Sequence, residues 1–141
     1  MRTLLLACAL ALTACSDGTP VALEVVNESA HAVELARFDT GLDTIGTLAG
    51  MEAGEHRAQT VLLAERPGHD GSYGVTVRRS DGLDTTFSTG YFTGGLFADS
   101  LRLRVYDDSL VIERHERDRW VRQRVGVRDT LGPEDVVLGA V

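Results

Sequence analysis

Tyr73-Gly74-Val75-Thr76-Val77-Arg78-Arg79-Ser80-Asp81-Gly82-Leu83-Asp84-Thr85-Thr86-Phe87 reads as a β-hairpin. Tyr73, Val75 and Val77 recur at spacing two, the period of a half-buried strand. Leu83, Thr85 and Phe87 repeat that period on the return, and Asp81-Gly82 between them supplies residues that accept the positive φ angles of a tight primed turn.

The same alternation extends in both directions. Val21, Leu23 and Val25 define a first strand that ends in an Asn27-Glu28-Ser29 turn, and Val33 and Leu35 a second that breaks at Asp39-Thr40-Gly41. Leu42 to Leu48 is a third candidate, and Arg57 to Leu63 a fourth after Ala53-Gly54-Glu55. Pro67-Gly68-His69-Asp70-Gly71 is the strongest loop signal and is expected to separate two halves of one sandwich. Downstream, Leu101, Leu103 and Val105 alternate with Arg102 and Arg104, and Asp107-Asp108-Ser109 turns the chain into Leu110 to Ile112 as a second hairpin. The expected fold is therefore all-β: a single antiparallel β-sandwich of about seven to nine strands, or less readily a barrel.

Glu113 to Val127 reads two ways. As a helix it offers Glu113–Arg117 and Asp118–Arg122 as acid-before-base pairs four apart, with Trp120, Val121 and Val125 as a stripe. As a strand it places Val121, Val125 and Val127 on one face, and this reading is preferred, with 136–141 as a further edge strand after Gly132-Pro133.

The first fourteen residues differ from the body. Arg2 precedes the apolar run Leu4 to Leu12, too short to span a bilayer but of the length of a signal-peptide core. Leu12-Thr13-Ala14-Cys15 resembles the lipobox of bacterial lipoproteins. That resemblance implies removal of residues 1–14, acylation at Cys15, residues 15–20 as a short lipidated tether, and 21–141 as the sandwich domain. It also implies a periplasm-facing, membrane-anchored location. Ser16 after the cysteine favours the outer membrane, while Asp17 leaves the inner membrane open. The Asn27-Glu28-Ser29 turn and the Gly90-Tyr91-Phe92-Thr93-Gly94-Gly95 stretch resemble those of small lipoproteins of unknown function, a likeness that spans Val21 to Ile112 and carries no catalytic residue.

Composition bounds the function. The only other cysteine, Cys8, leaves with the leader, so no disulfide is expected, and about 127 residues must fold on their core alone. All fourteen basic residues are arginine, against twenty-one acids. That balance argues against nucleic-acid or general anionic-lipid binding by the body as a whole. The distribution is uneven, however: residues 15–101 hold thirteen acids and five arginines, whereas residues 102–128 hold eight arginines and five acids.

No motif carries a reaction. There is no Gly-x-Ser-x-Gly elbow, His31, His56, His69 and His115 lack metal-ligand spacing, and Asp39-x-Gly41-x-Asp43 lacks the later ligands of a calcium loop. No metal, cofactor or enzyme activity is expected. Two candidate contact surfaces remain. Tyr91 and Phe92 between glycines form a possible aromatic platform, with one ring expected inward and one outward. Arg117, Arg119, Trp120, Arg122 and Arg124 form an arginine-tryptophan stretch suited to phosphate or carboxylate, unless Glu113, Glu116 and Asp118 neutralise it in place. The expected role is a non-enzymatic binding or structural accessory of the cell envelope, partnered through its anchor by the membrane and by an envelope protein or glycan. A small-ligand or glycan-binding module built on Tyr91 and Phe92 is the alternative, and a hydrolase the third. A pocket at one end of the sandwich lined by these aromatics favours the ligand reading; converging serine, histidine and acid side chains favour the enzyme.

Overall fold

The computed structural model describes residues 18–63, 68–93 and 97–127. The leader, Cys15 and the expected edge strand at 136–141 lie outside the described residues. Nine strands follow in chain order: β1 (Thr19–Asn27), β2 (Val33–Asp39), β3 (Thr44–Met51), β4 (His56–Leu63), β5 (Gly71–Arg79), β6 (Asp84–Phe92), β7 (Ser100–Val105), β8 (Ser109–Glu116) and β9 (Arg119–Gly126). They form a five-stranded sheet of order β4-β1-β7-β8-β9 and a four-stranded sheet of order β3-β2-β5-β6, packed face to face as the expected β-sandwich.

Among the described residues every strand pairing is antiparallel except one. β1 runs parallel to β7, from Ala22 opposite Ser100 to Asn27 opposite Val105. Strand β1 begins at Thr19, two residues before the apolar run at Val21, and Pro20 is tolerated there because its missing N–H falls on the β7 side before β7 begins. The chain changes sheet between Leu63 at the end of β4 and Gly71 at the start of β5. The sequence halves on either side are not the two sheets, because β2 and β3 share a sheet with β5 and β6.

The core follows from the alternation. Val21, Leu23 and Val25 of β1 and Leu101, Leu103 and Val105 of β7 are fully buried, and they face Ala36 and Phe38 of β2 and Val75 and Val77 of β5. At one end Tyr73, Phe92 and Phe97 form an aromatic cluster with ring centroids 5.0–5.2 Å apart. At the other end Asn27, fully buried, joins two loops: its Nδ2 donates to the carbonyls of His31 at 2.8 Å and Glu52 at 3.0 Å, and its Oδ1 accepts from the Ser29 hydroxyl at 2.7 Å. Polar bonds also tie the open edges. Arg57 of β4 donates to the carbonyls of Ala49 and Gly50 on β3, and Thr89 of β6 donates to Gln123 of β9 at 2.6 Å.

The turns depart from expectation in an informative way. At Ser80-Asp81-Gly82 only Gly82 has a positive φ, 93°, and its N–H bonds back to the Arg79 carbonyl. The hairpin therefore closes by a longer turn ending in a left-handed glycine, not by the two-residue primed turn that Asp-Gly suggests.

The Tyr73 hydroxyl accepts the buried N–H of Ala98 at 2.7 Å, and burial pushes its pKa up to about 12 despite that bond. Tyr73→Phe leaves the Ala98 N–H without an acceptor and is expected to cost about 1–3 kcal/mol in denaturant unfolding. In the native chain the raised pKa contributes stability that is whole below the ordinary value of 10.0 and is lost as pH rises towards about 12, which is checked by following β-sheet circular dichroism against pH.

Candidate functional site

The region read ambiguously from sequence is a hairpin. Arg117 and Asp118 both adopt left-handed φ, 47° and 65°, between Glu116 and Arg119, which pair directly. This is the two-residue primed geometry that suits the twist of the flanking strands, here built without glycine. The helical acid-base pairs therefore do not form, and Glu113 meets Arg122 across the strands instead.

Alternation then divides the arginine stretch. Trp120, Arg122 and Arg124 point to the outer face of the five-stranded sheet, Arg119 has the opposite parity, and Arg117 sits in the turn. On the outer face Glu24, Arg102, Glu113 and Arg122 stand in register on β1, β7, β8 and β9 as a row of alternating charge. Arg102 pairs with both Glu24 and Glu113, Arg122 covers Glu113, and Arg104 reaches Glu28 at 2.6 Å. Trp120 closes one end of the row, with the Arg102 guanidinium 4.9 Å from its ring centroid and the His115 ring at 5.2 Å. Burial pushes the Glu113 carboxyl up, but Arg122, Arg104 and Arg102 outweigh it and hold it below the ordinary glutamate range. Arg122 and Arg124 are thus neutralised in place, Arg124 by Asp108 at 3.5 Å.

Arg117 and Arg119 are different. Nine described arginines have an acidic partner, whereas these two make no ion pair with any described residue. They line a cleft of about 190 Å³ at the end of the sandwich with Tyr91, Thr93, Phe97 and Glu116. Glu116 is held by Arg114 at 2.8 Å, which leaves the two guanidiniums as its uncompensated charge.

The aromatic wall comes from a bulge. Gly90 and Tyr91 lie between the pairs Tyr73–Thr89 and Gly71–Phe92, so the strand gains a residue and both Thr89 and Phe92 turn inward while Tyr91 turns out. Gly90 is required there: its φ is 62°, and a Cβ would collide with the Arg114 guanidinium, which is buried and donates to Thr89 at 2.6 Å. Phe92 accordingly belongs to the core and Tyr91 to the surface, one ring inward and one outward as the sequence suggests. Desolvation and the neighbouring Asp70 carboxylate push the Tyr91 hydroxyl pKa up.

The histidines are dispersed. His56 meets Glu24 at 2.8 Å, His115 meets Asp99 at 2.7 Å, His31 lies 3.7 Å from Asp81, and His69 packs edge-on against Phe92. Among the described residues no three metal-ligating side chains converge, and no serine hydroxyl bonds to a histidine ring. Asp39 forms a local turn by accepting the Gly41 N–H at 2.9 Å.

Glu113→Gln takes one charge from three arginines and is expected to destabilise the domain by about 1–3 kcal/mol in melts near neutral pH. Because the folded-state pKa lies below the ordinary value of 4.5, the native contribution is whole above that pH and is lost as pH falls through the folded pKa, so the gap between native and variant narrows in acid. A gap that is independent of pH would contradict the assignment. No family model, curated protein or solved structure matches the chain.

Proposed function

We propose that the chain is a lipid-anchored, periplasm-facing protein of the bacterial envelope, a binding accessory whose contact site is the cleft between Tyr91 and the β8–β9 turn. The anchoring part of this reading rests on Leu12-Thr13-Ala14-Cys15. The binding part rests on a single observation: Arg117 and Arg119, alone among the described arginines, lack an acidic partner and share a cleft with exposed Tyr91 and with Phe97.

That combination suits a ligand presenting an anionic group beside a ring or other apolar surface. A guanidinium fork matches phosphate or carboxylate, and an aromatic face covers the apolar part. The cleft is small for a free drug-sized molecule, so it fits a headgroup or a sugar residue that belongs to something larger. Trp120 and Arg122 lie outside the cleft against the neutralised charge row, and Arg124 lies farther along β9, paired with Asp108.

Two measurements test this. Mass spectrometry of protein purified from membranes is expected to find the mature chain starting at an acylated Cys15, and Cys15→Ser to lose membrane partition. Titration with glycerol phosphate and with glucuronic acid, followed by nuclear magnetic resonance, is expected to move signals of Tyr91, Phe97 and Arg119. The Arg117→Gln/Arg119→Gln variant is expected to weaken binding of whichever probe binds at least tenfold, about 1.4 kcal/mol. Binding left unchanged in that variant would remove the cleft from the proposal.

A further inference from the structure

The four large hydrophobic side chains that stand exposed among the described residues are Leu42, Leu62, Tyr91 and Trp120, with exposures of 76%, 59%, 64% and 48%. They come from the β2–β3 loop, the end of β4, the end of β6 and the start of β9, far apart in sequence. The strand registers bring all four to one pole. Leu62 pairs with Pro20 at the start of β1, Trp120 with His115 and His115 with Ser100 at the start of β7, and Phe92, next to Tyr91, with Gly71 at the start of β5. Asp39, just before the Leu42 loop, pairs with Gly74 at that same end of β5. The Tyr73–Ala98 hydrogen bond joins the two sheets there. The cleft with Arg117 and Arg119 opens at this pole as well.

The opposite pole has no such patch. Its four loops, 28–32, 52–55, 80–83 and 106–108, carry no exposed large hydrophobic residue, and four of their acids, Glu28, Glu55, Asp81 and Asp108, are paired with Arg104, Arg57, Arg79 and Arg124.

We infer that the apolar pole rests on a phospholipid surface, with Leu42, Leu62, Tyr91 and Trp120 at the headgroup boundary and Arg117 and Arg119 against lipid phosphates. Tryptophan and tyrosine suit that boundary because their rings are apolar and their N–H or O–H tips remain hydrated. The chain itself points to a lipid occupant. Thr19 opens β1 at this pole, and only three residues separate it from Cys15, a reach of about 14 Å when extended. The inference rests on the anchoring proposed above in this respect, and it names the anionic group of the cleft as a lipid phosphate. A body tethered so closely meets the membrane at high effective concentration, so weak contacts suffice.

The chain's single tryptophan, Trp120, makes the test direct. Protein purified from membranes is reconstituted on vesicles of phosphatidylethanolamine and phosphatidylglycerol, with Cys15 acylation read by mass. Docking is expected to shift Trp120 emission to shorter wavelength, to let lipids brominated near the headgroup quench it, and to reduce quenching by aqueous iodide. Leu42→Ser/Leu62→Ser/Tyr91→Ser, shown by circular dichroism to be folded, is expected to restore iodide quenching with the acyl mass unchanged. An acylated, vesicle-bound protein whose Trp120 is untouched by brominated lipid and fully open to iodide overturns the docking while the anchor stands. If Cys15 carries no acyl group the anchoring fails, and the same quenching on added vesicles still decides the docking: quenching supports it and its absence overturns it. Loss of iodide access through a copurified protein, without bromolipid quenching, also overturns it.

Discussion

Burial of one sheet face against the other is the constraint on which everything else in this molecule depends. Both cysteines precede β1, so no described residue can form a disulfide, and among the described residues the sheets meet through side chains alone. The apolar faces supply the bulk of that association at roughly 25 cal/mol per Å² removed from water. Polar groups are placed where the apolar layer runs out. Asn27 fastens the loops at one end, Arg57 spans one side, and Thr89 with Arg114 and Gln123 spans the other. Each of these groups is paired, so the layer is closed without stranding a buried charge.

The sheet framework was legible in the sequence because period-two alternation and turn residues are local signals. Val21-Leu23-Val25, Tyr73-Val75-Val77 and Leu101-Leu103-Val105 each announce an inward face, and each is buried. What escaped was decided by partners distant in the chain. Glu113 and Arg114 look solvent-facing by type, yet both are buried, the first beneath three arginines and the second against Gly90. The Arg117-Asp118 turn was hidden because arginine carries no left-handed signal and Asp118, which tolerates that backbone, is not followed by a glycine. The cleft is half visible in sequence: Tyr91 marks one surface, Arg117 and Arg119 with the neutralising Glu116 another, and nothing marks Phe97, because only the fold brings the end of β6 beside the β8–β9 turn.

Strain and solvation coincide at that turn. Placing two residues with side chains in the left-handed region costs conformational energy that glycine would avoid, and Arg117 sits there without an acid to hold it. Along the same hairpin the other arginines are neutralised by Glu113, Glu116 and Asp108. Charge compensation along the sheet and its absence at the tip make the two guanidiniums the ones available to an external anion.

The parallel pairing of β1 with β7 also bears on the order of assembly. Glu24 and Arg102 meet across 78 residues, and β1 is an interior strand of its sheet, flanked by β4 and β7. Its second flank cannot be satisfied until about three quarters of the chain is available, and such non-local closure slows folding. A growing chain therefore cannot complete its five-stranded sheet for most of its synthesis. Should the proposed anchoring hold and the chain be exported as an extended thread, this topology would keep the five-stranded sheet from closing before most of the chain has crossed.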